Sequence, residues 1–217
     1  LNGMFAFAIY DTALDELFIA RDRVGEKPLY YHQKDGGFAF SSALEPLAKA
    51  VSGLTLDELS VDMFFMLGYI AAPKTIYTEV SKLKPAHYGV FKNNRLDIKA
   101  YWKPVFSSSS DSEDLAIEKT RELLTDSIRL RLRSDVPVGA FLSGGIDSSL
   151  VVAFSKKLGV SLETYTIGFA EKEYDESAYA ISAAQRIGVK NRLNILDRKS
   201  LAGLGDILRH FWEPFAD

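Results

Sequence analysis

Apolar residues fill the chain from Met4 to Tyr10 and stop at Asp11-Thr12, which predicts a buried strand. Leu17 to Arg21 repeats the signal, so the two runs are expected to pair as a hairpin. Leu29 to His32 and Gly37 to Ser41 alternate around Lys34-Asp35-Gly36-Gly37, a second hairpin signal. Ser42 to Ala50 predicts a short helix, and Val61 to Tyr69 carries apolar residues at helical spacing, with Phe64, Phe65 and Met66 assigned to the core. The stretch from Lys84 to Leu96 predicts a late hairpin, because its Asn93-Asn94 turn tolerates positive φ.

The pattern then changes. Ser107-Ser108-Ser109-Ser110-Asp111-Ser112 is a small polar linker. Ser110 with Glu113 forms a capping box for a helix running to about Arg133, whose buried face would carry Leu115, Leu123, Ile128 and Leu132. Beyond it, strand and helix alternate: a strand at Val136–Leu142, a helix at Ser148–Leu158 ended by Gly159, a strand at Glu163–Phe169, a helix at Glu176–Ile187 ended by Gly188, a strand at Asn191–Leu196 and a helix from about Lys199 to Phe211. Strands separated by helices imply βαβ units and a parallel sheet. The chain is therefore expected to be α+β in its first half and α/β in its second.

Bulk properties narrow the function classes. The 217 residues suffice for one or two domains, and 47% hydrophobic with 25% charged residues is a globular composition. A net charge of −3 argues against gripping nucleic-acid backbones, and no apolar run approaches the ~18 residues that would span a membrane. The absence of cysteine removes disulfides, thiolate metal sites and cysteine nucleophiles, and suits the cytoplasm. His32, His87 and His210 are scattered without a second ligand at metal spacing. Arg129, Arg131 and Arg133 sit where a helix C-terminus favours cations. Leu1 opens on what reads as a strand inside a fold, and Trp212-Glu213-Pro214-Phe215-Ala216-Asp217 ends without a polar tail, so the chain is expected to be cut from something longer.

Candidate chemistry concentrates in Ser143-Gly144-Gly145-Ile146-Asp147-Ser148-Ser149, between a predicted strand and the helix that follows. Ligands of open α/β sheets bind beyond the carboxyl ends of the strands. Adjacent glycines let a ligand approach the backbone with no Cβ in the way. The N–H groups of the loop and first helical turn, with the hydroxyls of Ser143, Ser148 and Ser149, can point at phosphate oxygens. A Walker-type loop carries Lys before its Ser/Thr to reach the γ-phosphate; here Asp147 stands there. An acid in a phosphate cradle calls for a divalent cation between them, so Mg²⁺ is the expected companion of Asp147. The loop then suits holding pyrophosphate as a leaving group while chemistry occurs at the α-phosphorus. The plainer alternative is a Ser/Gly turn in which Asp147 and Ser148 merely cap a helix. Chance gives Ser-Gly-Gly-x-Asp-Ser in roughly 3 in 10⁴ chains of this length, which favours the phosphate reading.

Val136-Pro137-Val138-Gly139-Ala140-Phe141-Leu142-Ser143-Gly144-Gly145-Ile146-Asp147-Ser148-Ser149 resembles the signature of asparagine synthetases, within the N-type ATP pyrophosphatases. In that family a class II glutaminase domain feeds ammonia to a synthetase domain, which activates aspartate as β-aspartyl-AMP and releases pyrophosphate. Thr164-Tyr165-Thr166-Ile167-Gly168-Phe169 resembles the family's second strand, and the resemblance implies that backbone groups around Ile167 read the adenine and that Leu142 is another nucleotide contact. Tyr174-Asp175-Glu176-Ser177-Ala178-Tyr179-Ala180 also matches, although a helix N-cap by Asp175 with Glu176 in the first turn suffices to explain it. Leu1-Asn2-Gly3-Met4-Phe5-Ala6-Phe7-Ala8 and Arg21-Asp22-Arg23-Val24-Gly25-Glu26-Lys27-Pro28-Leu29-Tyr30-Tyr31 resemble the glutaminase domain, with Arg21 and Asp22 taken as an ion pair or turn closure.

The resemblance implies a class II glutaminase part, of Ntn-type sandwich fold, at 1–106, a linker at 107–112, and the first part of a Rossmann-like ATP pyrophosphatase domain at 113–217. It also implies groups outside these residues. The glutaminase nucleophile is an N-terminal cysteine, its glutamine-anchoring acid would precede Leu1, and a second Mg²⁺-binding acid and a catalytic lysine would follow Asp217. No catalytic residue is therefore assigned here, and the chain alone is expected to be inactive. Implied substrates are ATP, aspartate and glutamine, and a homodimer is the assembly considered. Two alternatives stand beside this: an amidotransferase with another acceptor, such as a β-lactam, peptide or surface polysaccharide, and a non-catalytic fragment that binds nucleotide or packs against a partner.

Overall fold

The first hairpin forms where the apolar runs predict it, as strands β1 (Ala6–Asp11) and β2 (Glu16–Arg21), antiparallel with Ala6 opposite Arg21 in a computed structural model of the chain. The structure describes residues 1–108, 110–197, 203, 205 and 213–216. The predicted helix at Lys199–Phe211 lies outside the described residues. Residues Leu1–Phe106, joined by the described segment 213–216, form one compact unit, and a second begins at Ser107.

In the first unit, β3 (Tyr30–Lys34) and β4 (Gly37–Ser41) pair around Asp35-Gly36, both at positive φ (51° and 80°), as a tight two-residue hairpin requires. Helices α1 (Leu44–Ala50) and α2 (Glu58–Leu67) follow, then β5 (Val80–Lys82), β6 (His87–Lys92) and β7 (Arg95–Ala100), the last two turning at Asn93-Asn94. The strands form two antiparallel sheets, β1-β2-β6-β7 and β4-β3-β5. Phe38 on β4 stacks on Phe91 of β6 at 4.8 Å between ring centres. One cluster buries Ile19, Leu29 and Leu83, and another buries Leu44, Leu47, Ile70, Ile76 and Val80.

Two expectations fail here. β1 is not buried throughout: it is an edge strand whose Ile9 and Tyr10 are 57% and 58% exposed. Phe64 packs against the core, but Phe65 and Met66 are 80% and 82% exposed. Helical spacing placed the stripe but said nothing of what lies opposite it.

Arg21 and Asp22 close a turn. The Arg21 guanidinium donates to the carbonyls of Lys27, Leu83 and Gly25. Asp22, 1% exposed, accepts backbone N–H bonds from Phe5, Val24, Glu26 and Lys27. Burial alone would raise its carboxyl, but the backbone N–H donors, that of Lys27 foremost, outweigh burial and hold it below the ordinary value. A depressed carboxyl contributes stability that is present above its unfolded value and lost as pH falls through the folded value. Asp22→Ala should destabilise the first unit by about 3 kcal/mol, because it removes a buried carboxylate that accepts four backbone N–H bonds. Asp22→Asn should remove part of the acid dependence below pH ~4. Urea denaturation from pH 3 to 7 measures both, and parallel curves for parent and Asp22→Asn would sink the assignment.

The second unit carries α3 (Glu113–Arg131), β8 (Gly139–Phe141), α4 (Ile146–Lys157), β9 (Glu163–Phe169), α5 (Ser177–Ile187) and β10 (Lys190–Leu196). Its three strands form a parallel sheet in the order β10-β9-β8. The whole is thus a mixed α/β structure with several sheets, one of them parallel. The cap of α3 is Ser112, accepting from the Leu115 amide at 3.3 Å, and not Ser110: in a run of serines the last before the helix takes the role. Its expected buried face is also corrected, since Ile128 is buried but Leu115 and Leu123 are 45% and 72% exposed. β8 is shorter than the predicted 136–142 because the residues before Gly139 make no ladder with β9. Among the described residues no helix is long and apolar enough to cross a membrane.

Candidate functional site

The parallel register brings Phe141 opposite Tyr165 at the end of β8, and the chain leaves the sheet at Leu142. Leu142 is fixed on both sides: its N–H donates to the Tyr165 carbonyl at 2.9 Å, and its carbonyl accepts the buried Thr166 hydroxyl at 2.7 Å. It is 1% exposed and packs with Val152, Ala180 and Ala184 beneath α4 and α5. From this anchor the seven residues Ser143–Ser149 enter α4, whose N-cap is Gly145.

The loop is tied internally by hydroxyls. The Ser148 hydroxyl accepts the Ser143 N–H at 3.2 Å and lies 2.9 Å from the Ser143 hydroxyl, which in turn accepts the Gly145 N–H at 3.4 Å. Ser149 N–H begins the helix by donating to the Gly145 carbonyl at 3.1 Å. Gly144 has φ +82°, and a Cβ there would lie 2.5 Å from Tyr179 C and Ala180 N in the first turn of α5. Glycine is required at 144 twice over, for its conformation and for its proximity to backbone. Gly145 makes no side-chain cap, so the first amides of α4 remain oriented outward at the positive end of a helix dipole. Asp147 lies in that first turn and is exposed.

The structure thus brings Leu142, Ser143, Gly144, Gly145, Asp147, Ser148 and Ser149 together as one continuous strand-to-helix loop. Ile167 stands on the neighbouring strand β9, 51% exposed, with its side chain on the face opposite buried Thr164 and Thr166. Residues along a strand alternate the neighbour their backbone groups face. Because the Tyr165 carbonyl bonds Leu142, the N–H and C=O of Ile167 face the same edge, past the last residue of β8. Ile167 therefore turns its backbone groups toward the edge of β9 at which β8 ends.

Among the described residues no three His, Cys, Asp or Glu side chains form a metal-binding group. Asp147 therefore offers a single carboxylate. Mg²⁺ is commonly held by one or two carboxylates plus phosphate oxygens and water, so this donor fits a cation that arrives with a polyphosphate and does not fit a resident metal held by protein alone.

Thr166 was not singled out from sequence, yet its hydroxyl fixes the carbonyl at which the loop begins. The available signal was two threonines at alternate positions of one strand, 164 and 166, both buried.

Residues 1–102 match the glutamine amidotransferase domain family, and residues 119–217 match the asparagine synthase family. Glutamine-hydrolyzing asparagine synthetase 1 of Bacillus subtilis is 32% identical over 219 residues, across 100% of this chain and 35% of that protein. Asparagine synthetase 3 of the same organism, also glutamine-hydrolyzing, is 37% identical over 188 residues, covering 82% of this chain and 31% of its own length. The amidase chry2 of Gibberella zeae is 33% identical over 222 residues, covering 93% and 32%. The chain spans about a third of the length of these three relatives. A glutamine amidotransferase match followed by an asparagine synthase match, with relatives aligned across the junction of the two, places the chain in the family of glutamine-hydrolysing asparagine synthetases.

Proposed function

We propose that this chain carries the ATP pyrophosphate loop of a ligase that makes asparagine from aspartate, glutamine and ATP. The observation that carries the reading is the loop itself: two glycines at the mouth of α4, three serine hydroxyls, no lysine, and the carboxylate of Asp147 in the first helical turn. Amides of Gly144, Gly145 and the α4 N-terminus would bind the β- and γ-phosphates, with Ser143, Ser148 and Ser149 donating hydroxyl hydrogen bonds. Asp147 would hold Mg²⁺, which when bound neutralises part of the polyphosphate charge. Leu142 and the Ile167 backbone would flank the nucleoside.

In the proposed reaction a side-chain carboxylate oxygen of aspartate attacks the α-phosphorus, the α–β bridging P–O bond breaks, and pyrophosphate leaves. Ammonia then attacks the acyl carbon and AMP departs. The chain contributes pyrophosphate binding and charge balance. It contains no cysteine, so it does not supply the thiol of a class II glutaminase, and turnover by this chain alone is not expected. The fold assignments that go with this proposal are an Ntn-type glutaminase part at 1–106, a linker at 107–112 and a Rossmann-like pyrophosphatase part from 113. Cytoplasmic location and a homodimer belong to the same proposal.

A second reading changes only the acceptor, and the similarity to the amidase chry2 favours keeping it. The test is pyrophosphate release from ATP by the natural polypeptide that carries this chain, with aspartate or other carboxylates supplied in turn. Release dependent on aspartate supports the synthetase. Release dependent on another carboxylate supports the second reading, and no release with any acceptor overturns both.

A further inference from the structure

Asp175 stands between the end of β9 and the start of α5, and its carboxylate gathers donors from both. One oxygen accepts the Phe169 N–H at 3.3 Å and the Ser177 N–H at 3.1 Å, and the other accepts the Ser177 hydroxyl at 2.9 Å. These bonds, the Ser177 hydroxyl foremost, hold the carboxyl below its ordinary value. Glu176, the residue at the cap position, makes no side-chain cap bond, so Asp175 does the capping from one residue earlier. The fit is close: a Cβ on Gly168, beside Phe169, would lie 2.9 Å from the Asp175 Oδ1 and 3.1 Å from the Ser177 Cβ.

What α5 does with its first turn gives this staple a consequence. Tyr179 and Ala180 form the surface on which Gly144 rests, and Ala180 is fully buried beside Leu142 and Val152. A shift of the α5 N-terminus therefore moves the support of Gly144, which has no side chain of its own to hold it. Ser177, Tyr179 and Ala180 belong to one helical turn, so the carboxylate at one end and the loop at the other are joined by rigid backbone.

We infer that Asp175 is a positioning residue for the Ser143–Ser149 loop, acting through the first turn of α5. Its effect on nucleotide affinity rests on the reading of that loop as an ATP site; its effect on loop geometry does not.

Two readouts separate these in the natural polypeptide that carries the chain. The first is hydrogen exchange, without nucleotide, at the amides of Ser143, Gly145 and Ser149. Asp175→Ala should accelerate it about five-fold, the scale of a lost N-cap. Asp175→Asn keeps an acceptor oxygen and should accelerate it by about two-fold, and Ser177→Ala, which removes only the hydroxyl donor, by a similar factor. The second readout is the split between KM for ATP and kcat. Asp175→Ala should raise KM for ATP about five-fold with kcat within about two-fold, and Asp175→Asn should recover most of the loss. Unchanged exchange in all three variants overturns the inference whatever the kinetics. Faster exchange with unchanged KM for ATP leaves the positioning role standing and sinks the ATP reading of the loop. If Asp175→Ala does not fold, the two milder variants decide, and exchange equal to the parent in both overturns the inference.

Discussion

Asp147→Ala, made in the natural polypeptide that carries this chain, should lower pyrophosphate release from ATP by roughly 10²- to 10³-fold while leaving any glutaminase rate within about two-fold. The magnitude separates two roles for one carboxylate. Asp147 lies in the first turn of α4, where an acid favours the helix dipole by about 0.3–1 kcal/mol, and losing that alone would slow a reaction no more than about five-fold. A carboxylate that holds the cation of a bound polyphosphate stabilises charge that grows as pyrophosphate departs, and its loss is a larger effect. Asp147→Asn should behave like Asp147→Ala, since it keeps the shape and loses the charge. Both rates are measured on one preparation. Pyrophosphate release within about five-fold of the parent would make Asp147 a helix-end residue and nothing more.

The features most legible in the sequence were local ones. The turns at Asp35-Gly36 and Asn93-Asn94 adopt positive φ as their residues allow, and Gly159 and Gly188 follow the last turns of α4 and α5. The loop at 143–149 was placed between strand and helix because an apolar run, two glycines and a serine-rich helix start are all contiguous signals. Features that depend on distant neighbours were missed. Spacing groups Phe64, Phe65 and Met66 on a helix but does not say which side meets the core, and two of the three are exposed. The same holds for Leu123 of α3 and for Ile9 on the edge strand β1. The Asp175 carboxylate was legible as a helix cap. Its bearing on Gly144 was not, because that contact joins two strand-to-helix junctions of the sheet and leaves no trace in either stretch alone.

The adjacent glycines should respond to the same substitution in opposite ways. At Gly144, alanine meets two costs: a left-handed φ of +82°, worth about 1–2 kcal/mol, and a Cβ 2.5 Å from backbone atoms of Tyr179 and Ala180. Helical backbone anchored by the buried Ala180 cannot step aside as a flexible side chain can, so the strain of overpacking adds about 1–3 kcal/mol. Gly144→Ala should lower the melting temperature of the second unit by about 10 °C or more. At Gly145, φ is −70° and a Cβ would meet only the Ser143 hydroxyl oxygen at 3.4 Å, an ordinary contact. Gly145→Ala should therefore cost less than about 1 kcal/mol, the scale of replacing glycine at an N-cap. Yet that Cβ projects from a residue whose amide is proposed to meet phosphate, so ATP affinity should fall about ten-fold without a matching loss of stability. Thermal denaturation and equilibrium ATP binding on both variants test the contrast. A Gly144→Ala protein that melts with the parent would refute the packing of the loop on α5. A Gly145→Ala protein that binds ATP as tightly as the parent would remove the phosphate from this loop and leave Gly145 as nothing more than the cap of α4.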